Sequence, residues 1–128
     1  MEIENKRNGR MIMTIKECYE TVGASYDEVV ARLGSETLVK RFALKFLKDT
    51  TYQELRKSIE DASGEEAFRA AHTLKGICLN LGFDALETAS SALTEQLRAS
   101  KETSGCEELM ERVTVEYNKL VNALQMAE

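Results

Sequence analysis

Six times along this chain a Ser, Thr or Asp is followed three residues later by Glu: Thr14/Glu17, Ser25/Glu28, Thr51/Glu54, Ser63/Glu66, Asp84/Glu87 and Ser104/Glu107. This is the spacing of a capping box. The first side chain accepts from a free amide of the opening helical turn, and the Glu returns a bond to the capping residue. One such pair carries little weight. Six, each opening a stretch with apolar residues at helical spacing, constrain the chain to an all-α fold. The sequence has no proline and only 7 glycines in 128 residues, so little interrupts a helix once it has begun.

The periodicity predicts short helices over about Ile15 to Val22, ended by Gly23, and Tyr26 to Leu33, ended by Gly34. Ser35 then caps a helix reaching about Lys48, with Leu38, Phe42 and Phe46 in its stripe. Further helices are expected over Tyr52 to Asp61, Gly64 to Leu81, Asp84 to Ala99 and Cys106 to Met126, with a polar loop at Ser100 to Ser104. Gly82 suits the left-handed terminator of the fifth. Four helices, those holding Phe42 (continued by the Leu55 segment), His72, Leu93 and Tyr117, are expected to form an antiparallel four-helix bundle. The two additional short N-terminal helices would lie over one end. Residues 1–12 lack a period and read as a flexible leader. Residues 13–128 read as one helical domain.

Composition narrows the function. The formal net charge is -5, from 17 basic and 22 acidic residues. With no basic run, nucleic acid is not expected as a partner. Cys18, Cys78 and Cys106 are widely spaced and form no CxxC pair, and the single His has no metal-ligand partner nearby in sequence. Neither a metal nor a cofactor is therefore expected, and the thiols read as buried and reduced. The N-terminus lacks the apolar stretch of a signal peptide. No window approaches the roughly 20 apolar residues of a membrane span. The expected setting is the cytoplasm, away from the membrane.

The lone histidine stands in Ala70-Ala71-His72-Thr73-Leu74-Lys75-Gly76. At about 100° per residue, Ala67, Ala70, Leu74, Ile77, Cys78 and Leu81 share one face, the natural core stripe. His72 points the other way, with Phe68, Lys75, Gly76 and Leu79 beside it. A glycine in mid-helix costs roughly 1 kcal/mol relative to alanine. Beside an outward histidine its effect is to clear space. Lys75 can bring a positive charge toward an anion held there. Phe68, Leu79 and the neighbouring Arg69 would form docking surface.

Nothing marks a nucleophile elbow or a glycine-rich loop to cradle ATP. The chain is not expected to be an enzyme. Imidazole can, however, carry a phosphoryl group on a ring nitrogen when another protein brings it.

His72-Thr73-Leu74-Lys75-Gly76, followed by Asn80-Leu81-Gly82, resembles the signature of histidine-containing phosphotransfer (HPt) domains, and the likeness extends over roughly Tyr26 to Leu124. The resemblance implies a four-helix bundle in which His72 accepts a phosphoryl group from the aspartate of a response-regulator receiver domain and passes it on. A receiver and a sensor histidine kinase would be its protein partners, the chain acting as a monomer. Mg²⁺ and the chemical machinery would belong to the receiver. The family usually keeps a small residue where this chain has Leu79. It often places Glu or Gln after the leucine matching Leu93, where that side chain can reach the histidine. Here Thr94 and Glu95 follow, and they are the candidates for orienting His72. The alternative is a helical adaptor that docks a receiver or kinase without being phosphorylated.

Overall fold

The computed structural model describes residues 6–7 and 10–127. These residues form seven α-helices: α1 (Ile15–Thr21), α2 (Tyr26–Leu33), α3 (Glu36–Lys45), α4 (Thr51–Glu60), α5 (Gly64–Leu81), α6 (Asp84–Ser100) and α7 (Glu107–Leu124). A two-residue antiparallel ladder, β1 (Lys6–Arg7) with β2 (Arg10–Met11), precedes them. Residues 1–5 and 8–9 of the expected leader, like residue 128, lie outside the described residues.

The chain is an all-α, antiparallel four-helix bundle with additional short N-terminal helices. Helix α5 packs between α4 and α6, and α6 packs on α7. The fourth side of the bundle is broken. The helix expected to run to Lys48 stays α-helical only to Lys45, passes through a 3₁₀ turn at Phe46–Lys48, and becomes extended at Asp49. There the Asp49 carboxylate accepts from the Thr51 amide at 2.8 Å, a local bond that competes with continuing the helix. α4 then starts afresh. α3 flanks the C-terminal half of α5, where Phe42 and Phe46 face Ile77 and Leu81 across a groove. α4 flanks the N-terminal half, where Thr51 and Ser58 face Ala70 and Thr73.

The predicted capping boxes form only once. Thr14 Oγ1 accepts from the Glu17 amide at 3.1 Å, and Glu17 accepts from the Thr14 amide at 2.8 Å. Ser35 also caps its helix, through the Leu38 amide at 3.1 Å. Ser25 and Ser63 hold the capping position without bonding an amide. α4, α6 and α7 begin after Thr50, Phe83 and Cys106 instead. What the motif located was the acid of each first turn: Glu54, Glu66, Glu87 and Glu107 lie against the positive end of a helix dipole.

The core contains a continuous aromatic file. Tyr26 meets Tyr19 edge-on at 5.6 Å between ring centroids, and Tyr19 meets Phe83 at 5.5 Å. Phe83 meets Phe46 at 5.4 Å, Phe46 meets Tyr117 at 5.9 Å, and Tyr117 stacks on Tyr52 at 3.9 Å. The file ties α2 and α1 to the α5–α6 turn, and onward to α7 and α4. Pairs of this kind contribute about 0.5–1.5 kcal/mol each beyond their buried area.

The C-terminal end of α5 is held from three directions. Gly82 adopts φ +71°, and a Cβ there would also overlap Val29 of α2. The Tyr19 hydroxyl donates to the Leu81 carbonyl at 2.7 Å. The last turn of α5 contains no basic residue of its own. Arg32 of α2 supplies one, donating to the carbonyls of Leu79 at 2.6 Å and Asn80 at 3.1 Å. A cation there satisfies orphan carbonyls and the negative end of the dipole together. Beside this end the chain also closes on itself, as the Met13 amide donates to the Met126 carbonyl at 2.6 Å.

Candidate functional site

α5 buries Ala67, Ala71, Leu74, Cys78 and Leu81. Ala71 was absent from the expected stripe, while Ala70 and Ile77, placed in it, are only half-buried against α4 and α3. His72 is exposed, as the periodicity predicts, and lies on the side of α5 toward α6.

One turn before it, Phe68 is half-buried and stacks on the imidazole, with ring centroids 5.9 Å apart and planes 9° from parallel. The guanidinium carbon of Arg98, from α6, stands 5.0 Å from the Phe68 centroid. Arg98 is itself held by Glu95, its Nε lying 3.3 and 3.4 Å from the two carboxylate oxygens. Imidazole, phenyl ring, guanidinium and carboxylate thus form one connected group across two helices. A cation facing an aromatic ring is attracted by the ring's quadrupole.

Beyond His72 the same face stays open. A Cβ built on Gly76 would meet nothing within 4 Å, so no packing requirement accounts for the glycine. Leu79 is 56% exposed, the most of any large hydrophobic residue among those described. Lys75 is half-buried and makes no ion pair among the described residues.

Three expected site residues stand elsewhere than the sequence suggests. Thr94 is fully buried and donates its hydroxyl to the Ser90 carbonyl at 2.7 Å. That i to i−4 bond within α6 occupies its only proton, and no hydrogen bond joins it to His72 among the described residues. Glu95 is exposed and engaged with Arg98, reaching His72 only through Phe68. Arg69 turns toward α4, lining the groove with Thr51 and Ser58 and pairing with Glu65 at 3.6 Å. Arg98, conversely, is a site neighbour the sequence reading missed. Reflecting α6 onto α5 about the Gly82 turn, as an antiparallel pair requires, sets Phe68 opposite Leu97 and Arg98.

Burial pushes all three thiols up, with Glu17 adding to the effect at Cys18, whose thiol reaches about 11. They are neutral near pH 7 and supply no thiolate. Among the described residues, no group of three His, Cys, Asp or Glu side chains gathers as a metal site would require. No helix among them is long and apolar enough to cross a membrane.

Comparison with known families gives a match: the model of the Hpt domain fits residues 49–127. Comparisons with curated proteins and with solved structures give no match. The fitted stretch begins at the break after α3 and takes in α4, α5, α6 and α7, with His72 and the open face around it, and on that match over more than half its length the chain belongs to the Hpt domain family.

Proposed function

We propose that this protein is a phosphoryl carrier in a two-component phosphorelay, with His72 as the group that is phosphorylated. The observation carrying this reading is the pairing of an exposed imidazole with an unobstructed Gly76 in a chain of the Hpt family. A transfer partner must bring a phosphoryl group to within bonding distance of a ring nitrogen. Gly76 leaves room for that approach, and the helix gives up stability to keep the room.

In the transfer, a ring nitrogen of His72 attacks the phosphorus of an aspartyl phosphate on the receiver. The bond from phosphorus to the aspartyl oxygen breaks and the carboxylate leaves with the electron pair. The imidazole then loses its N–H proton to solvent. Lys75, unpaired among the described residues and one turn from His72, stands ready to offset phosphoryl charge. Leu79 and the exposed edge of Phe68 form apolar docking surface, with Arg69 at the far rim. The chain is the substrate and carrier in this scheme and not the enzyme. It works as a monomer in the cytoplasm, between a sensor histidine kinase and a receiver that supplies Mg²⁺.

The test is incubation with a phosphorylated receiver domain, following acid-labile phosphate on this chain. Wild type should be labelled and His72→Gln should not. Equal labelling of the two would end the proposal. A wild type that binds the receiver yet never carries phosphate would establish the adaptor reading in its place. Gly76→Gln should slow transfer at unchanged helicity, because its side chain occupies the approach path.

A further inference from the structure

The eight aromatic residues of the chain fall into two groups. Six form the file through the core. Phe42 is exposed on α3, and Phe68 alone lies against an imidazole. We propose that Phe68 is the positioning residue of His72, and that Arg98 holds it in place from α6. This rests on the carrier reading of His72 and adds to it how an exposed side chain is kept ready to react.

An exposed histidine on a helix rotates about two bonds, and most of its rotamers turn the nitrogens away from an incoming phosphorus. A flat face one turn back restricts that freedom. With planes 9° from parallel, the imidazole lies along the phenyl ring in an offset stack. One ring face is then partly covered, while His72 as a whole stays exposed. A phenylalanine serving only as core filler needs no partner on its outer side. This one has a guanidinium 5.0 Å from its centroid, and that guanidinium is tied down by Glu95. The cation–π contact limits the swing of Phe68, and Phe68 limits the swing of His72. The two reacting-face helices are thereby locked to each other at the histidine.

A small phosphodonor tests this without any receiver. Phosphoramidate phosphorylates imidazole directly: a ring nitrogen attacks phosphorus, the P–N bond breaks, and ammonia leaves as ammonium, carrying the ring N–H proton. His72 is the only histidine, so its two C–H proton resonances are unambiguous. In wild type they should be displaced from those of free histidine by the Phe68 ring current. Phe68→Tyr should keep both the shift and the labelling rate. Phe68→Leu keeps apolar bulk but no flat ring. It should lose the shift and label about five-fold more slowly, the scale expected for two released rotors. Arg98→Gln should give an intermediate loss of both at unchanged helicity. Wild-type shift or wild-type labelling in Phe68→Leu would overturn the proposal. Should that variant fail to fold, unchanged shift and rate in Arg98→Gln would do so instead. Labelling by phosphoramidate with no uptake from any receiver would count against the carrier reading alone.

Discussion

Gly64 and Lys101 meet backbone to backbone: a Cβ placed on Gly64 would overlap the carbonyl of Lys101, the residue whose amide closes the end of α6 on Leu97. The first residue of α5 therefore seats directly on the turn that leads into α7. Gly76, twelve residues on in the same helix, has nothing within 4 Å of the place where a Cβ would stand. Two glycines in one helix thus answer to different demands, one to packing and one to access. Gly64→Ala should cost about 1–3 kcal/mol, because backbone must shift to admit the methyl group. Gly76→Ala should gain about 0.5–1 kcal/mol from helix propensity. Urea denaturation of both variants checks the pair, and a destabilised Gly76→Ala would show that the site has a packing role.

Arg32 is the borrowed cap of α5. Arg32→Ala should lower stability by about 1–2 kcal/mol through two lost charge-assisted bonds and a less compensated dipole. Both bonds come from one nitrogen, Nη1. Arg32→Lys should recover only part, since a lysine ammonium is more strongly hydrated and lacks the fixed planar geometry that aims Nη1 at the two carbonyls. Melting temperatures of the three proteins give the order. An unchanged Arg32→Ala would mean the two bonds are solvent-equivalent.

Ser90 presents a buried hydroxyl with no hydrogen-bond partner in the structure, while its carbonyl serves Thr94. A buried polar group left unpaired costs about 1–3 kcal/mol, and Ser is also the weaker helix former. Ser90→Ala should therefore be neutral to stabilising, up to about 1 kcal/mol. A clear loss of stability in a urea titration would reveal a partner for the hydroxyl.

The three buried thiols and Tyr19 predict an alkaline limit. Burial raises all four groups above their ordinary values of 9.0 for the thiols and 10.0 for Tyr19. Well below pH 9 they are protonated whether the chain is folded or not, and their contribution is fully present. As pH rises past 9 the unfolded chain releases its protons first, so stability falls. For Cys18 the fall runs to about 11. The urea midpoint should hold up to about pH 8 and drop steadily above it. Native protein at pH 8 should also resist a thiol-reactive dye that labels all three cysteines once urea is added. Rapid labelling of the native form would contradict the burial.

Much of this was legible before any coordinates, and the reason is geometric. Helical spacing within one segment sets the outward direction of His72 and the bounds of α5 and α2, because 3.6 residues per turn is a property of the chain alone. What a residue meets across a helix pair depends also on the rotation and offset of the neighbour. Thr94 illustrates this: it occupies the position where a polar partner for His72 is expected, yet α6 is turned so that Thr94 is buried and bonds its own backbone. Arg98, one turn further on, reaches the phenyl ring instead. Arg32 lay outside reach for the same reason, since it acts 47 positions away in sequence. The capping motif erred differently. It located helix starts through acidic residues that act by charge, while reading them as reciprocal hydrogen bonds.

The bond from Met13 to Met126 has a mechanical consequence. α1 touches Ala123 of α7 through Cys18 and Leu81 of α5 through Tyr19, so this closure sits at the pole of the bundle where α5 ends. Met13 and Ala127 therefore lie side by side at that one pole. His72 lies ten residues before Gly82, ~15 Å down the helix axis. The pole at which the chain closes and the exposed imidazole are therefore separate places on the bundle.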